Sequence, residues 1–380
     1  MPARYRGLTW DHPRGRLALE RAAETATDAA GAPLIAWDVH PLEGFESSPI
    51  EDLAARYDVI VLDHPHLGDA LEAGAIRPLD EWFAPEFLDA VRVGAVGPSA
   101  ASYTLDGRLW ALPLDAATQV AVRVPELVPV APETWAEVLE LSTTAPVALS
   151  LAGPHAFLTF ASTCVALGGE PAVEPGSGLV DRAVGAQALG IMAELAARMP
   201  ERAADLNPIA LLERMRRERD IAYVPLVYGY VTYASGPGAL AFDDAPAASS
   251  GRRRGSTIGG TGIALSTRSE PDQALLAHLA GLLDPVAQRT SIPEHAGQPG
   301  LRSAWTDDAV NAASADFYRS TLATIDDAWV RPRVPGYIPF QSAASAIVRR
   351  ALLEGGPADA ALADLDRGFD ALARERSTVR

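Results

Sequence analysis

The sequence predicts an α/β protein, and two observations lead to that prediction. Short apolar runs of strand character alternate along the chain with longer segments whose apolar residues recur at helical spacing. Turn-forming Gly, Pro, Asn and Asp residues separate these segments. A length of 380 residues favours more than one domain, each large enough to bury its own core.

The N-terminal elements follow one another in a regular order. Residues 5–10 predict a first strand that ends in a turn over 11–15, and 17–30 predict a helix that stops at Gly31. A second strand over 33–39, a short helix over 50–56, a buried strand over 57–62 and a helix over 67–73 complete this part.

Later elements carry clearer local signals. Asp106 and Gly107 predict a tight hairpin turn. Thr134 and Glu137 have the spacing of a capping box, which predicts a helix start at Thr134. Residues 221–233 predict a strand, 234–256 a surface loop with three solvated arginines at its tip, and 259–266 a glycine-rich turn leading into a strand. The remaining predicted helices lie at 154–168, 181–198, 207–217, 270–283, 284–291, 307–325, 339–354 and 357–373.

The composition excludes several classes of function. A net charge of −17 disfavours nucleic acid and anionic membrane surfaces as partners. The chain has no Lys, so it has no Walker A motif and no lysine for a Schiff base, and no cofactor is expected. Its one cysteine, Cys164, excludes an internal disulfide and a cysteine-based zinc site, and an apolar run around it predicts a packed thiol.

The same survey gives an expected location. The first ten residues show no apolar signal region, and no window is apolar enough to span a membrane. We therefore expect a cytoplasmic protein without membrane insertion, or an extracellular or periplasmic one if a leader has been removed.

Histidines are concentrated in two similar turns. Asp11-His12-Pro13 follows the first predicted strand, and Asp63-His64-Pro65-His66 follows a second strand that we predict to be parallel to it. In open α/β sheets ligands gather at the carboxyl ends of the strands, so both turns are candidates for one ligand site. Asp and His in such turns can hydrogen-bond hydroxyl groups, exchange protons or hold a metal.

A purely structural interpretation stays open for each turn. Asp before a helix is a common N-cap, and His-Pro is a common turn pair. No metal site is predicted, since His64 and His66 lack further ligands at a suitable spacing.

Six segments in order resemble the family 1 extracellular solute-binding proteins of ABC importers, the class that includes maltose-binding protein. They are 57–79, 103–113, 132–135, 260–290, 335–343 and 352–356. The resemblance covers nearly the whole chain. It implies a periplasmic-binding-protein type II fold, with two α/β lobes, a hinge and a ligand clamped in the central cleft by hinge closure.

This resemblance implies lobes that are discontinuous in sequence. Lobe 1 is expected to comprise 1–114 plus 258–306, and lobe 2 to comprise 115–257 plus 307–380. It also implies ABC permease subunits as partners if the protein is exported.

Carried over position by position, the resemblance implies a ligand site with polar and aromatic members. The expected ligand-binding residues are Trp10, Asp11, His12, Arg14, Asp63, His64, His66, Asp115, Tyr228, Tyr230, Tyr337 and Phe340. For several of them a structural role is the alternative. Asp115 is expected either at the ligand, as a cap, or in a pair with Arg123. Tyr228, Tyr230, Tyr337 and Phe340 are expected either at the ligand or in the core.

Two functional hypotheses follow. The first is a binding protein for a polar small molecule such as a sugar or polyol, held in the interlobe cleft. The second is a cytoplasmic enzyme on the same scaffold, in which His12, Asp63 and His64 carry out acid–base chemistry such as a dehydration, isomerisation or cyclisation.

Overall fold

The chain folds as two compact units, each assembled from separate stretches of sequence. The computed structural model describes residues 2–41, 44 and 48–378. Unit 1 comprises 2–116 in its described part, 259–313 and 333–335, and unit 2 comprises 117–258, 314–332 and 336 onward. The sequence predicts boundaries at 114, 258 and 306. Compared with these, residues 115–116, 307–313 and 333–335 lie in unit 1, and Ile258 lies in unit 2.

A mixed sheet forms the centre of unit 1. Its strands are β1 (Tyr5–Trp10), β2 (Ile35–His40), β3 (Val59–Leu62), β4 (Ile76–Arg77) and the part of β10 (Ile258–Ser266) that lies in this unit; β5 (Thr104–Leu105) and β6 (Arg108–Leu109) form a separate hairpin. β1 pairs in parallel with β2 and β3, whereas β3 and β4 both pair antiparallel with β10. All four residues of β3 are buried, because the continuous apolar run Val-Ile-Val-Leu suits a strand covered on both faces.

The rest of unit 1 consists mainly of helices, which lie between and after the strands in chain order. They are Pro13–Ala23, Ile50–Ala54, Leu67–Glu72, Pro85–Gly94, Ser99–Ser102, Gln273–Leu282, Pro285–Arg289, Ser291–Glu294, Arg302–Trp305 and Asp308–Ala313, with 3₁₀ turns at His64–His66 and Leu79–Glu81.

Unit 2 is mostly helical around a short antiparallel group of strands. β7 (Leu112–Arg123) enters it from unit 1 and pairs antiparallel with β8 (Tyr223–Tyr228) and β9 (Ala241–Asp243). The helices are Trp135–Leu141, His155–Ala166, Arg182–Ala196, Pro208–Arg217, Phe317–Ser320, Leu322–Asp326, Tyr337–Glu354 and Ala358–Thr378, with 3₁₀ turns at Ala203–Asp205 and Val231–Tyr233. Every residue of the helix His155–Ala166 is buried, including Cys164, which confirms the packed thiol.

Several local predictions are confirmed. Asp106 and Gly107 take left-handed φ angles of 51° and 77° in the β5–β6 turn. Thr134 caps the helix Trp135–Leu141 through its hydroxyl, which accepts from the Glu137 amide at 3.3 Å, while the Glu137 carboxylate accepts from the Thr134 amide at 3.0 Å.

Other local predictions are wrong, and each has a physical reason. The first helix starts at Pro13 instead of 17 because proline is favoured in the first helical turn. Residues 259–261 lie within strand β10, not in a turn. The helix expected over 307–325 is broken where Ala315 and Asp316 adopt positive φ angles of 51° and 58°.

Two of the three arginine side chains at 252–254 hydrogen-bond to the protein, whereas the sequence predicts a solvated tip. Arg253 donates to the Asp327 carbonyl at 2.8 Å, and Arg254 donates to the carbonyls of Glu133 and Ala245, both at 3.1 Å. These backbone contacts tie the loop to unit 2.

Candidate functional site

The two Asp-His-Pro turns follow neighbouring parallel strands of unit 1. β1 ends at Trp10 and β3 at Leu62, and Gly7 pairs with Val59 in the parallel register between them. Their carboxyl ends therefore lie at the same edge of the sheet, as the sequence predicts.

The first turn is fixed by local hydrogen bonds. His12 is the N-cap of the helix Pro13–Ala23, and its Nδ1 accepts a hydrogen bond from the Arg14 amide at 3.1 Å. The Thr9 hydroxyl donates to the Gly15 carbonyl at 2.7 Å, which ties the end of β1 to the first turn of the helix. An N-cap histidine in place of the commoner Ser, Thr, Asp or Asn gives this helix start an imidazole ring.

Trp10 is the aromatic centre of this turn. Its indole stacks on the His12 ring with centroids 5.1 Å apart and planes 9° apart, and the Arg14 guanidinium lies 5.7 Å from the indole centroid. A Cβ on residue 15 would lie inside the indole of Trp10, so only glycine fits there. Trp10 is buried at 3 % exposure, so its indole gives the stacked His12 ring a fixed support.

Arg14 forms a buried ion pair with Asp115. Its Nε donates to Asp115 Oδ2 at 2.9 Å and its Nη2 donates to Oδ1 at 2.5 Å, so the guanidinium is bidentate. The Gln298 amide donates to the same Oδ2 at 3.3 Å. Asp115 was expected either at the ligand or with Arg123. Its partner is Arg14, while Arg123 pairs with Asp243 at 2.8 Å.

The second turn carries a buried histidine. Asp63 Oδ1 accepts from the His64 amide at 2.8 Å and lies 3.0 Å from His64 Nδ1. The His64 ring is fully buried and meets Tyr103 edge-to-face at 6.2 Å, and the Tyr103 hydroxyl donates to the Leu62 carbonyl at 3.1 Å. His66 is also buried.

Asp11 differs from the other members of the first turn. It is exposed, and its carboxylate lies 3.4 Å from Arg16 Nε. This contact is a surface ion pair of the helix start, which contributes little to stability.

The electrostatics of His12 differ from those of an acid–base catalyst at neutral pH. Burial and the neighbouring Arg14 lower its pKa to about 4, and Asp11 only partly opposes them. The enzyme hypothesis relied on a histidine titrating near its usual pKa, and His12 does not meet that condition.

Tyr228 and Tyr230 lie in unit 2, at and just after the end of β8. The Tyr228 ring meets His155 edge-to-face at 5.9 Å, and its hydroxyl donates to the Ile258 carbonyl at 3.5 Å. The buried Arg331 donates to that carbonyl at 3.4 Å and to Gln341 Oε1 at 3.2 Å. Burial and Arg331 lower the pKa of His155 to about 3. Tyr230 is buried at 5 % exposure.

Tyr337 and Phe340 lie among aromatic side chains of unit 2. Phe340 contacts Phe157, Phe369 and Tyr337 with ring centroids 5.4 to 5.8 Å apart. Tyr337 is fully buried and Phe340 is 7 % exposed. These contacts favour the core interpretation of both residues over a ligand contact, because the helix starting at Tyr337 packs this face inward.

Sequence reasoning missed the residues that hold the candidate site in place. Gly15 makes room for Trp10, and Gly262 makes room for Tyr103, whose ring would lie 2.8 Å from a Cβ there. A glycine inside a strand can signal such a close approach, and Gly262 carried that signal. Nothing in the local sequence marks Gln298 or His155.

A metal centre and a membrane-spanning helix are two further features that would bear on function. Within 2–41, 44 and 48–378, no cluster of three or more His, Cys, Asp and Glu side chains could hold a metal ion. None of the helices described is both long and apolar enough to cross a membrane.

Comparison with known proteins gives the fold. No protein-family model and no curated protein sequence matches the chain. Solved structures do match, among them a solute-binding protein of Agrobacterium radiobacter K84 in complex with ribitol, at 18 % identity and a TM-score of 0.79 over 97 % of this chain and 98 % of that one. The chain has the fold of ABC transporter solute-binding proteins.

Further neighbours with this solute-binding-protein fold support the same assignment. Maltose-bound MalE3 of T. maritima is 17 % identical with a TM-score of 0.77, covering 97 % of this chain and 99 % of that one. A solute-binding protein of Agrobacterium vitis S4 with bound D-mannitol is 17 % identical with a TM-score of 0.72, covering 99 % and 98 %. The α/β type II fold predicted from the sequence is confirmed.

Proposed function

We propose that this chain is a solute-binding protein that binds a sugar or polyol. The observation that carries the proposal is the pair of Asp-His-Pro turns at adjacent parallel strand ends of unit 1. Solved structures of the same fold include complexes with maltose, ribitol, alpha-D-tagatose and D-mannitol.

The chemistry of unit 1 suits a polyhydroxylated ligand. Asp63 supplies carboxylate oxygens, which accept from hydroxyl groups, and His12 supplies a neutral imidazole. Arg14 and Asp115 neutralise each other in a buried ion pair. Their role is therefore to hold the turn in place, and neither is expected to contact the ligand. Asp63 and His12 are the unit 1 residues that would contact the ligand, and Tyr228 is the candidate in unit 2. His64 is fully buried and would position the Asp63 carboxylate, which lies 3.0 Å from its Nδ1.

The direct test is a binding panel. Maltose, ribitol, D-mannitol and tagatose are titrated into the purified protein by calorimetry, and thermal unfolding is recorded with each sugar. A ligand at 100 times its Kd stabilises the folded state by about 2.7 kcal/mol, which such a melt detects. Native mass spectrometry of the purified protein extends the search to co-purifying molecules.

A matched pair of variants links binding to the site. Asp63→Asn keeps an oxygen that can accept from the His64 amide but removes the carboxylate charge, and we expect it to weaken binding about tenfold or more. Asp89→Asn, which changes an exposed carboxylate beside Arg92, serves as the control. Absence of binding to every sugar and polyol tested, with no co-purifying polar molecule, would refute the proposed function.

Delivery to an ABC permease is a further part of the proposal, because a transport receptor works by handing its ligand to one. It requires a location outside the cytoplasm. Fractionation of the cells that make the protein decides between a receptor and a cytoplasmic binder.

A further inference from the structure

The first two passages of the chain between the units lie within strands. The chain leaves unit 1 between Ala116 and Ala117, in β7, and returns to it between Ile258 and Gly259, in β10. The later passages lie in turns or in segments without regular structure. Because an extended strand cannot stretch, bending between the units requires changes of backbone torsion at or near the first two points.

In unit 2, buried polar side chains hold both strands to the helix His155–Ala166. Ser162, on that helix, donates through its hydroxyl to Gln119 Oε1 at 2.6 Å, and Gln119 belongs to β7. The same hydroxyl lies 2.9 Å from the hydroxyl of Thr257, the residue before β10 begins. One helix residue therefore joins the two strands.

Further hydrogen bonds join the strands to each other. The Ser256 hydroxyl donates to the Gln119 carbonyl at 2.6 Å, and the Thr118 hydroxyl donates to the Thr257 carbonyl at 3.2 Å. A buried polar group that loses its partner pays its full desolvation cost, so such a network resists rearrangement. We call it the anchor cluster; its side chains, at most 2 % exposed, are those of Thr118, Gln119, Ser162, Ser256 and Thr257.

In unit 1, the two strands are fixed at different distances from the anchor cluster. On β7, the Ala116 amide donates to the Gln298 carbonyl at 3.2 Å, and Gln298 Nε2 donates to the Ala116 carbonyl at 3.1 Å. Only Ala117 then separates this attachment from the anchor cluster. On β10, the register with β3 starts at Gly262, so residues 259–261 lie between the two attachments.

Two of these three residues are glycines, Gly259 and Gly260. Gly260 adopts a φ angle of 94°, in a region that residues with a side chain rarely occupy. Glycine also moves between backbone regions at little steric cost, which suits a residue that absorbs a change of torsion.

We infer that the chain bends at Gly259 and Gly260, and that the anchor cluster keeps this bend out of unit 2. The members of the anchor cluster are thus positioning residues, which set where the motion occurs. The inference goes beyond the proposed function, since it holds with or without a ligand.

The first experiment uses the unmodified full chain without ligand. Amide hydrogen exchange is measured at residue resolution along β7 and β10, in buffer and in low urea. We expect 259–261 to exchange about 100-fold or more faster than 118–119 and 256–258, at rates that low urea leaves unchanged, because they open without unfolding unit 2. Equal exchange rates in the two sets would overturn the inference and leave the proposed function standing.

The second experiment measures the bending itself, again without ligand. Spin labels at Val93→Cys in unit 1 and Val130→Cys in unit 2, positions that are 87 % and 80 % exposed, report a distribution of distances in a Cys164→Ala background. Gly260→Ala should narrow this distribution, because alanine restricts the backbone at a φ of 94°. Gly74→Ala is the matched control, with a φ of 59°, open space around its Cβ position and a place outside both strands. An unchanged distribution in Gly260→Ala, or an equal change in Gly74→Ala, would overturn the inference.

A second pair of variants tests the anchor cluster. Ser162→Ala removes the hydroxyl that joins Gln119 to Thr257, and we expect a broader distance distribution and about tenfold faster exchange of the anchored amides. Thr163→Ala is the control, since its buried hydroxyl donates to a carbonyl of the same helix at 2.8 Å. Equal effects of the two variants on both measurements would show only a general loss of stability, and the role of the anchor cluster would be refuted.

Discussion

Arg14 and Asp115 form a bidentate ion pair whose side chains are only 5 % and 6 % exposed. The pair joins the first turn of the helix Pro13–Ala23 to β7, and the Gln298 amide, from the 259–313 stretch of unit 1, donates to the same carboxylate. Two residues that sequence resemblance placed at the ligand thus hold together three parts of one unit.

Breaking this pair on one side should strongly destabilise unit 1. Arg14→Met leaves the Asp115 carboxylate buried without its cation, and we expect the free energy of unfolding to fall by roughly 3–5 kcal/mol. Urea unfolding followed by tryptophan fluorescence measures the change. Combining Arg14→Met with Asp115→Leu should recover most of the loss, because an apolar pair leaves no buried charge. A single-variant loss below about 1 kcal/mol would argue against the pair as a structural element.

The contact between Gly15 and Trp10 gives a steric prediction. Gly15→Ala places a methyl group inside the Trp10 indole, so the ring must move, and we expect a loss of about 1–3 kcal/mol. Gly190→Ala is the matched control, since Gly190 lies within the helix Arg182–Ala196 with open space around its Cβ position. That control should raise stability by roughly 0.5–1 kcal/mol through helix propensity. Denaturant midpoints of the two variants moving in the same direction would contradict this account.

The depressed histidine pKa values predict a pH dependence of stability. The pKa is about 3 for His155 and about 4 for His12 in the folded chain, against 6.5 for an unperturbed histidine. Below pH 6.5 the unfolded chain takes up protons that these folded residues do not, so stability is full above that pH and falls as the pH drops toward 4. Each histidine contributes a slope of up to about 1.4 kcal/mol per pH unit.

Urea unfolding at pH 8, 6.5, 5.5 and 5 tests the dependence, in a window above the titration of unfolded carboxylates. His155→Gln should reduce the slope of the unfolding free energy between pH 6.5 and 5. The stability of each protein at pH 8 serves as its own reference, which removes any general effect of the substitution. A slope that His155→Gln leaves unchanged would contradict the low pKa of His155 in the folded chain.

Cys164 should be unreactive while the protein is folded. It is fully buried in the helix His155–Ala166, and burial raises the pKa of its thiol, so little thiolate exists and reagents cannot reach it. We expect labelling by a thiol-specific disulfide reagent only after unfolding, at a rate that rises with urea. Fast stoichiometric labelling in native buffer would mean that this helix opens locally.

The sequence by itself determined much of the fold. Alternation of buried strands and amphipathic helices, the Asp106-Gly107 turn and the Thr134–Glu137 capping box are all set by short-range chemistry, and the structure contains them. The strands β1 and β3, which Asp11 and Asp63 directly follow, were also predictable, since the patterns of both strands are local.

Only the tertiary structure decided the partners of these residues. Arg14 meets Asp115, 101 positions away, and Tyr103 meets His64 across 39 positions, in contacts that no local pattern encodes. His12 was visible as a candidate ligand residue, but its lowered pKa follows from burial and from Arg14. Local sequence fixes which backbone shapes are favourable, whereas charge pairing, burial and ring packing depend on segments that come together only when the chain folds.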